Sequence, residues 1–208
     1  MGELHVNMNI TLDGVIQANG GPNEQDGDFE YAGWEEPYGD QESYEQLVTD
    51  VQGSDALLLG HTTYDIFRSY WPSASDELAR VFNKVPKYVA SRGAPALTWD
   101  ASTQITDAAT EVRDLHRQHE QIHIWGSANL LQTLFREGLV DRVNLWVCPV
   151  VIGEGKKLFP DGTAPTRFEL VEPPKVFSAG AMLVRYRRLD GLPQTGNSAE
   201  TVRSEADG

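Results

Sequence analysis

The stretch Gln121-Ile122-His123-Ile124-Trp125-Gly126-Ser127-Ala128-Asn129-Leu130-Leu131 decides the fold, because it combines a strand, a sharp turn and a helix start. Its isoleucines indicate a short buried strand, and the apolar residues that follow recur at helical spacing as far as Phe135. Gly126 has no Cβ, so the backbone can approach a ligand closely there. The first N–H groups of the helix lack a partner within it and suit a phosphate, and Ser127 stands at the N-cap position. Taken alone, the stretch fits a plain strand–turn–helix connection equally well.

The composition predicts a globular protein that does not bind nucleic acid. The chain has 208 residues, of which 40% are hydrophobic and 23% charged, so a packed core in one domain is expected. The formal net charge of −14 disfavours binding to a nucleic-acid backbone or to an anionic membrane surface. The single cysteine, Cys148, lies in an apolar run and is expected to be a buried hydrophobe rather than a nucleophile. With no signal-peptide pattern at residues 1–10 and no apolar run of membrane-spanning length, we expect a cytoplasmic protein.

The order of the predicted elements indicates an α/β domain over residues 1–189, followed by a disordered acidic tail over residues 190–208. The expected sheet is mostly parallel, with antiparallel C-terminal strands and helices on both faces. Between the first strand and the first helix, residues 17–40 form a long loop with scattered aromatic residues, which predicts a lid. Strands are predicted at residues 4–10, 56–59, 87–90, 121–124, 142–151, 168–171 and 181–187. Helices are predicted at residues 42–51, 62–70, 75–82, 106–118 and 128–137, with Ser75 and Thr106 as the caps of the third and fourth.

Three of the predicted strands end in loops that suit a ligand: Gly60-His61-Thr62-Thr63, Ser91-Arg92 and Gly126-Ser127-Ala128-Asn129. In a parallel sheet, ligands bind beyond the carboxyl ends of the strands. The first and third loops each open a helix, so together they could hold a pyrophosphate, and Arg92 could pair with a further phosphate. These groups occur in a dinucleotide with an extra ribose phosphate. Considered singly, Thr62 also fits an ordinary N-cap and Arg92 a solvated loop charge.

An ordered series of short motifs resembles the dihydrofolate reductase superfamily, and more closely its branch that contains the reductase domain of bacterial riboflavin biosynthesis. The resemblance covers residues 4–188. The motifs are Leu12-Asp13-Gly14, Leu58-Leu59-Gly60-His61-Thr62-Thr63-Tyr64, Tyr70-Trp71-Pro72, Asn83-Lys84-Val85-Pro86-Lys87-Tyr88-Val89-Ala90-Ser91, Ile124-Trp125-Gly126-Ser127, Gly138-Leu139-Val140-Asp141 and Pro149-Val150-Val151-Ile152-Gly153-Glu154-Gly155.

The resemblance implies a dihydrofolate-reductase-like fold that binds NADPH. Asn9 and Ile16 would then lie near the nicotinamide, and Ser91 and Arg92 near the adenosine 2′-phosphate. The residues implied to hold the pyrophosphate and its ribose are Gly60, Thr62, Thr63, Gly126, Ser127, Ala128, Asn129 and Leu130. Dihydrofolate reductases often carry Arg where this chain has His61, a weaker cation than arginine, so NADH is not excluded.

The resemblance further implies a homodimeric NAD(P)H-dependent oxidoreductase. It would transfer a hydride to a C=N or C=O group of a small pterin-, pyrimidine- or ribosylamine-like substrate. Folate itself is not expected, because no acidic residue of the first helix aligns with the one used by folate-reducing members. Asp13 and Asp40 are the candidate catalytic carboxylates, although Asp13 also fits a turn and Asp40 also fits a helix N-cap. The alternative function is a nucleotide-binding protein that keeps the fold without substrate chemistry.

Two other patterns in the sequence are not expected to contribute to catalysis. His116, His119 and His123 have metal-like spacing, but we expect the first two to lie on a solvated helix face, and no metal site is predicted. Strand residues 146–148 are a candidate dimer contact, with a buried strand as the alternative.

Overall fold

The structure, a computed structural model, describes residues 2–196. Strand and helix alternate through most of this range, as the sequence predicts. The strands are β1 (Glu3–Thr11), β2 (Ala56–Gly60), β3 (Lys87–Ala90), β4 (Ser102–Ile105), β5 (Gln121–Ile124), β6 (Arg142–Cys148), β7 (Arg167–Leu170), β8 (Lys175–Val176) and β9 (Met182–Leu189). The helices are α1 (Gln41–Val51), α2 (His61–Tyr70), α3 (Glu77–Lys84), α4 (Ala108–Gln118) and α5 (Ala128–Arg136), with short 3-10 turns at Glu36–Tyr38 and Trp71–Ser73.

All nine strands belong to one sheet, in the order β4-β3-β2-β5-β1-β6-β9-β7, with β8 also paired to β9. The six strands β4, β3, β2, β5, β1 and β6 run parallel to one another, whereas β9 is antiparallel to β6, β7 and β8. This confirms the predicted mostly parallel sheet with antiparallel C-terminal strands. The carboxyl ends of β3, β2, β5 and β1 therefore lie side by side at one edge.

Helices cover both faces of the sheet, which explains why every residue of β2 is buried. On one face Leu58 and Ile124 pack with apolar residues of α4 and α5, such as Val112 and Leu131. On the other face residues such as Leu57 pack with α1, α2 and α3. Burying this much apolar surface on both sides is the main force that holds the layers together.

The loop over residues 17–40 is anchored to the protein by its aromatic residues. Trp34 is buried against Trp146 and Phe177, and its indole N–H donates to the backbone oxygen of Gln17 at 2.8 Å. Tyr31, by contrast, is exposed. The loop therefore packs on the C-terminal half of the sheet and forms one wall of the cleft described below.

Several sequence-based boundaries were wrong. β4 was not predicted, because its residues Ser102–Ile105 are mostly polar and lie at the edge of the sheet. The caps of α3 and α4 are Asp76 and Asp107 rather than Ser75 and Thr106, since a carboxylate accepts the N–H of the third helical residue in each. β6 ends at Cys148 because the next residue is proline, which has no N–H for the ladder.

The side-chain environments of the histidines and of β6 also differ from expectation. His116 is only 5% exposed, so the solvated-face interpretation is wrong for it; its ring lies 3.7 Å from Asp141. His123 is buried as well, and burial lowers its pKa to about 3. Trp146 and Cys148 are buried within the chain itself, so the proposed dimer contact through them is wrong and the buried-strand alternative holds.

The predicted tail is only partly described: residues 190–196 contain no helix or strand, and residues 197–208 lie outside the described range. Across residues 2–196, no helix has the length and apolar character needed to cross a bilayer. The same range contains no group of His, Cys, Asp and Glu side chains arranged to hold a metal ion.

Candidate active site

A cleft follows the carboxyl ends of β3, β2, β5 and β1, and it consists of three neighbouring cavities that share lining residues. The outer cavity, of about 490 Å³, contains His61, Ser91 and Arg92 on its walls. The waist, of about 130 Å³, lies between Ile16 and Gly126. The aromatic cavity, of about 410 Å³, is lined by Glu35, Tyr38, Tyr44, Trp125, Trp146 and others. Thr62 and Ser127 line both the outer cavity and the waist, and Met8 and Trp125 line both the waist and the aromatic cavity.

The two helices that start at the waist lack the side-chain caps that the other helices have. α1, α3 and α4 each begin at an aspartate whose carboxylate accepts a backbone N–H of the first turn. α2 and α5 begin at Gly60 and Ser127, and neither N-cap residue makes a side-chain bond of this kind. Their first-turn N–H groups are therefore open toward the cleft, at the positive ends of two helix dipoles. Such an arrangement favours a bound anion.

Two glycines bring these helix starts together. The N–H of Gly60 donates to the backbone oxygen of Gly126 at 3.1 Å. A Cβ at Gly60 would lie 2.2 Å from Ser127 Oγ and 2.8 Å from Ser127 N, so no larger residue fits without moving the turn. Gly126 has φ +121°, and a Cβ there would lie 2.9 Å from Thr63 Oγ1. The peptide bond between Gly126 and Ser127 is cis. Glycine at both positions is therefore required by close packing of the two loops.

The outer cavity combines a serine, a histidine and an arginine. Ser91 Oγ lies 3.4 Å from His61 Nδ1, while His61 Nε2 lies 3.4 Å from a carboxylate oxygen of Asp65. The side chain of Gln104 donates to the backbone oxygens of Ser91 and Gly93, which fixes this loop. Arg92 is exposed, and within the described part of the chain it forms no ion pair. Its guanidinium is thus available for an anionic group at this end of the cleft.

The aromatic cavity has acidic and aromatic walls. Glu35 Oε2 accepts a hydrogen bond from Asn19 Nδ2 at 2.5 Å, and burial raises the pKa of the Glu35 carboxyl above its ordinary value of 4.5. Cys148 also lines this cavity; it is 3% exposed, and burial raises the pKa of its thiol to about 12. The thiol is therefore neutral, which confirms that Cys148 is a buried hydrophobe rather than a reactive nucleophile.

The sequence of this chain matches a known domain family over most of its length. The profile of the RibD C-terminal domain matches residues 3–177. The chain belongs to the RibD C-terminal domain family. The curated relatives of this RibD-family domain include a Bacillus subtilis (strain 168) protein named uncharacterized protein YyaP. It is 28% identical over 183 residues, which span 85% of this chain and 90% of that protein.

Solved structures confirm the dihydrofolate-reductase-like fold of the RibD branch. A pyrimidine reductase-like protein from Corynebacterium diphtheriae has a TM-score of 0.63 at 18% identity, covering 91% of this chain and 93% of that one. A Thermotoga maritima protein has a TM-score of 0.57 at 14% identity, covering 90% of this chain and 57% of that longer one. The latter is described as a diaminohydroxyphosphoribosylaminopyrimidine deaminase/5-amino-6-(5-phosphoribosylamino)uracil reductase. At these identities the likeness concerns the fold.

The RibD-family fold brings the predicted cofactor residues into one cleft. Gly60 lies behind the waist, against Ser127. Asn9 lines the aromatic cavity, at the opposite end of the cleft from Arg92. The outer cavity is lined by His61, Thr62, Ser91, Arg92, Ser127, Asn129 and Leu130, and the waist by Ile16, Thr62, Thr63, Gly126, Ser127 and Ala128.

The two predicted catalytic carboxylates make extensive bonds to the protein. Asp13 does not line the three cavities; it accepts hydrogen bonds from the Thr11 hydroxyl at 2.6 Å and from the N–H groups of Ile152 and Gly153. Asp40 lines the aromatic cavity, but its carboxylate caps α1 and accepts from the Ser178 hydroxyl, which holds its pKa far below the ordinary range. In this RibD-family domain both groups are arranged as hydrogen-bond acceptors that hold loops.

Glu35 is one of the carboxyls of the cleft that the sequence did not single out, and burial raises its pKa. It lies in the loop 17–40, next to the buried Trp34, and its packing rather than its local sequence raises its pKa. The one available signal was an acidic residue beside an aromatic residue in a long loop of a RibD-like sequence, which is too common to single out a site.

Replacing Asp13 tests its structural role. We expect Asp13→Asn to destabilise the fold by about 1 kcal/mol at neutral pH, because three donors lose a charged acceptor and solvent screens part of the effect. Hydrogen bonding lowers the pKa of Asp13 from 3.8 to about 2. The stabilisation is therefore fully present above pH 3.8 and is lost as the pH falls toward 2. Urea unfolding between neutral pH and pH 2 measures it, with Asp28→Asn in the exposed loop as the control.

Proposed function

We propose that this protein is an NADPH-dependent reductase, with NADH as the alternative cofactor, that reduces a C=N or C=O group of a small planar substrate. The observation that carries the proposal is the pair of uncapped helix starts, at Gly60 and Ser127, that meet at the waist of the cleft. NADPH carries a ribose phosphate toward one end, a pyrophosphate in the middle and the nicotinamide ring at the other end. The polar outer cavity, the anion-binding waist and the aromatic cavity follow one another in the same order.

The residues present fit this cofactor along its length. Arg92, with His61 and Ser91, would hold the ribose phosphate in the outer cavity. The open N–H groups of α2 and α5, with the hydroxyls of Thr62 and Ser127, would hold the pyrophosphate. Further groups assigned to the cofactor are Thr63, Gly126, Ala128, Asn129 and Leu130 on the same loops, and Asn9 and Ile16 at the nicotinamide end. When bound, the reduced nicotinamide supplies a hydride to the substrate.

The chain's own contribution is to orient the substrate, exclude water and supply a proton. Trp125 and Trp146 provide flat apolar walls for the acceptor, and the loop 17–40 closes the aromatic cavity on one side. Burial keeps the Glu35 carboxyl protonated to a higher pH than usual, so an Oε atom of Glu35 can donate a proton to the nitrogen or oxygen that is reduced. Glu35 thereby replaces Asp13 and Asp40 as the proposed proton donor.

Two measurements test the reductase against the alternative of a nucleotide-binding protein without substrate chemistry. Both functions require NADPH to raise the melting temperature, because a ligand that binds only the folded state stabilises it. The reductase alone requires NADPH oxidation in the presence of a carbonyl, imine or pterin acceptor. Binding without oxidation across such a panel favours the alternative, and absence of binding contradicts both.

Arg92→Ala tests the cofactor preference. We expect roughly a tenfold loss of NADPH affinity with little change for NADH, because NADH lacks the phosphate that Arg92 is proposed to contact. Titration of each cofactor, followed by protein fluorescence, measures the ratio. Arg68→Ala on α2 is a matched control, since Arg68 pairs with Asp65 and does not line the outer cavity. An unchanged ratio in Arg92→Ala would remove Arg92 from this role.

We retain as part of the proposal the homodimer that the family resemblance implies and the cytoplasmic location that the single cysteine favours. Sedimentation velocity of the purified chain measures the oligomeric state directly. A monomer at micromolar concentration contradicts the dimer without affecting the proposed reaction.

A further inference from the structure

We propose that the substrate is a planar, unphosphorylated C=N compound, and that the aromatic cavity prefers its protonated, cationic form to any anionic analogue. This inference rests on the proposed reductase function and narrows it to a substrate class.

The charged groups that line the aromatic cavity are all acidic. They are Glu36 and Asp40, since Glu35 is uncharged when it is protonated to act as the proton donor, and no Lys, Arg or His occurs among the described lining residues of the cavity. A phosphate placed here would lose its hydration and face carboxylates with no cation in return, which is strongly unfavourable. A cation would gain attraction from the same groups.

Lys175 and Lys156, two lysines near the borders of the cavity, do not supply the missing positive charge. Lys175, on β8, pairs with the carboxylate of Glu42 at 3.0 Å. Lys156, which lines the waist, is paired with Asp26 at 2.8 Å. Both are already neutralised by carboxylates, so the acidic character of the aromatic cavity is not offset from its borders.

The shape of the cavity suits a flat ring. Trp146 is 7% exposed and stacks on Phe177, with ring centroids 5.2 Å apart and planes 19° apart, so its orientation is fixed. Trp125 is held by an edge contact with Phe82 at 4.9 Å. Tryptophan faces attract cations as well as flat apolar rings, so these walls and the acidic groups favour the same ligand. A volume of about 410 Å³ is within the ordinary range for a small-molecule site.

Reduction of a C=N group balances with the groups at hand. The reduced nicotinamide loses a hydride to the carbon and becomes oxidised, the C=N π bond breaks, and the nitrogen takes a proton from the Glu35 carboxyl. The product is an amine, and Glu35 recovers its proton from solvent. With a preformed iminium ion no proton is needed, because hydride addition alone gives the neutral amine.

The proposed substrate class differs from the phosphorylated compound for which the Thermotoga maritima reductase is named. A 5-amino-6-(5-phosphoribosylamino)uracil carries a phosphate, and such a group needs a cationic partner near the ring site. Arg92, the exposed arginine of the cleft, lies in the outer cavity, on the other side of the waist. We therefore expect the cavity to reject that compound.

The test compares acceptors of different charge with the full chain and NADPH. The probes are N-methyl-3,4-dihydroisoquinolinium, 3,4-dihydroisoquinoline, its ring-carboxylated analogue and 5-amino-6-(5-phosphoribosylamino)uracil. We expect kcat/KM to be at least about tenfold higher for the cationic probe than for either anionic one. Equal or faster reduction of an anionic probe overturns the inference, as does NADPH binding with no reduction of either uncarboxylated imine.

A matched pair of variants assigns the preference to the cavity. Glu36 and Glu30 are exposed glutamates of the same loop, but only Glu36 lines the aromatic cavity. Glu36→Gln should raise KM for the cationic probe roughly three- to fivefold, whereas Glu30→Gln should leave it unchanged. An equal effect of both variants would mean that net charge, not the cavity, sets the preference, and would overturn the inference.

A separate readout distinguishes failure of the inference from failure of the proposed function. Quenching of tryptophan fluorescence reports binding of each probe without turnover, because Trp125 and Trp146 line the aromatic cavity. If NADPH fails to stabilise the protein, the proposed reductase function is contradicted, regardless of which probes bind. If NADPH binds and the anionic probes quench more strongly than the cationic one, the substrate class alone is wrong.

Discussion

Gly60→Ala is expected to lower NADPH affinity by about 100-fold, which corresponds to roughly 3 kcal/mol. The added methyl group would lie 2.8 Å from the backbone nitrogen of Ser127, and a backbone atom cannot move aside cheaply. Relief of the clash requires the start of α5 to shift away from the start of α2. The open N–H groups of the two helices would then no longer converge on one pyrophosphate.

Gly93→Ala provides the control, because it adds the same methyl group on the loop that carries Ser91 and Arg92, without a clash. Its Cβ would lie 3.6 Å from Ser91 Oγ, an ordinary contact. Isothermal titration with NADPH and thermal unfolding without it separate loss of the site from loss of the fold. If folded Gly60→Ala binds NADPH as tightly as Gly93→Ala does, the waist is not the pyrophosphate site.

Glu35→Gln is expected to lower kcat for a neutral imine by about 100-fold, because general acid catalysis typically contributes that much or more. The amide keeps the size of the side chain and can still accept from Asn19, but it cannot give a proton to the substrate nitrogen. For a permanently cationic iminium, which needs no proton, the loss should be less than about tenfold. A similar large loss with both substrates would assign Glu35 to binding rather than to proton transfer.

The pH dependence of activity in the native chain gives an independent check on the role of Glu35. Burial raises the pKa of Glu35 above 4.5, so with a neutral imine the activity should fall as the pH rises through the raised pKa. The same shift means that this group adds stability at low pH, and that its contribution is lost as the pH rises through the folded pKa. At neutral pH Glu35→Gln should therefore melt at the same temperature or higher. Melting curves for Glu35→Gln and the native chain would show whether the loss of activity reflects unfolding.

Much of the geometry in the proposed cofactor half of the cleft could be predicted because its signals are local. A glycine after a buried strand and a hydroxyl residue at the helix start, as in Gly126 and Ser127, specify a turn with open N–H groups wherever the loop lies. The parallel order of the strands then brings such loops to one edge of the sheet. For this reason Thr62, Arg92 and Ser127 line one cavity in the structure, as expected.

The substrate half could not be predicted, because its properties arise from contacts between distant segments. Asp40 has the local pattern of a catalytic candidate, yet its carboxylate also accepts from Ser178, far along the chain. His116 lies among charged residues in the sequence, yet packing buries it next to Asp141. Glu35 has an ordinary sequence environment, and only burial near Asn19 changes its pKa.

By itself the sequence determined most of the order of strands and helices, the mostly parallel sheet and the glycine-dependent turns, because these follow from apolar periodicity and from backbone conformations that depend on neighbouring residues. Only the tertiary structure decided that β4 forms one edge of the sheet, which carboxylates are engaged as acceptors, which one is half-buried in the cleft with a raised pKa, and that the aromatic cavity has no cationic lining among its described residues. Burial and charge pairing depend on the whole surroundings of a side chain, and those surroundings are assembled from parts of the chain that lie far apart in sequence.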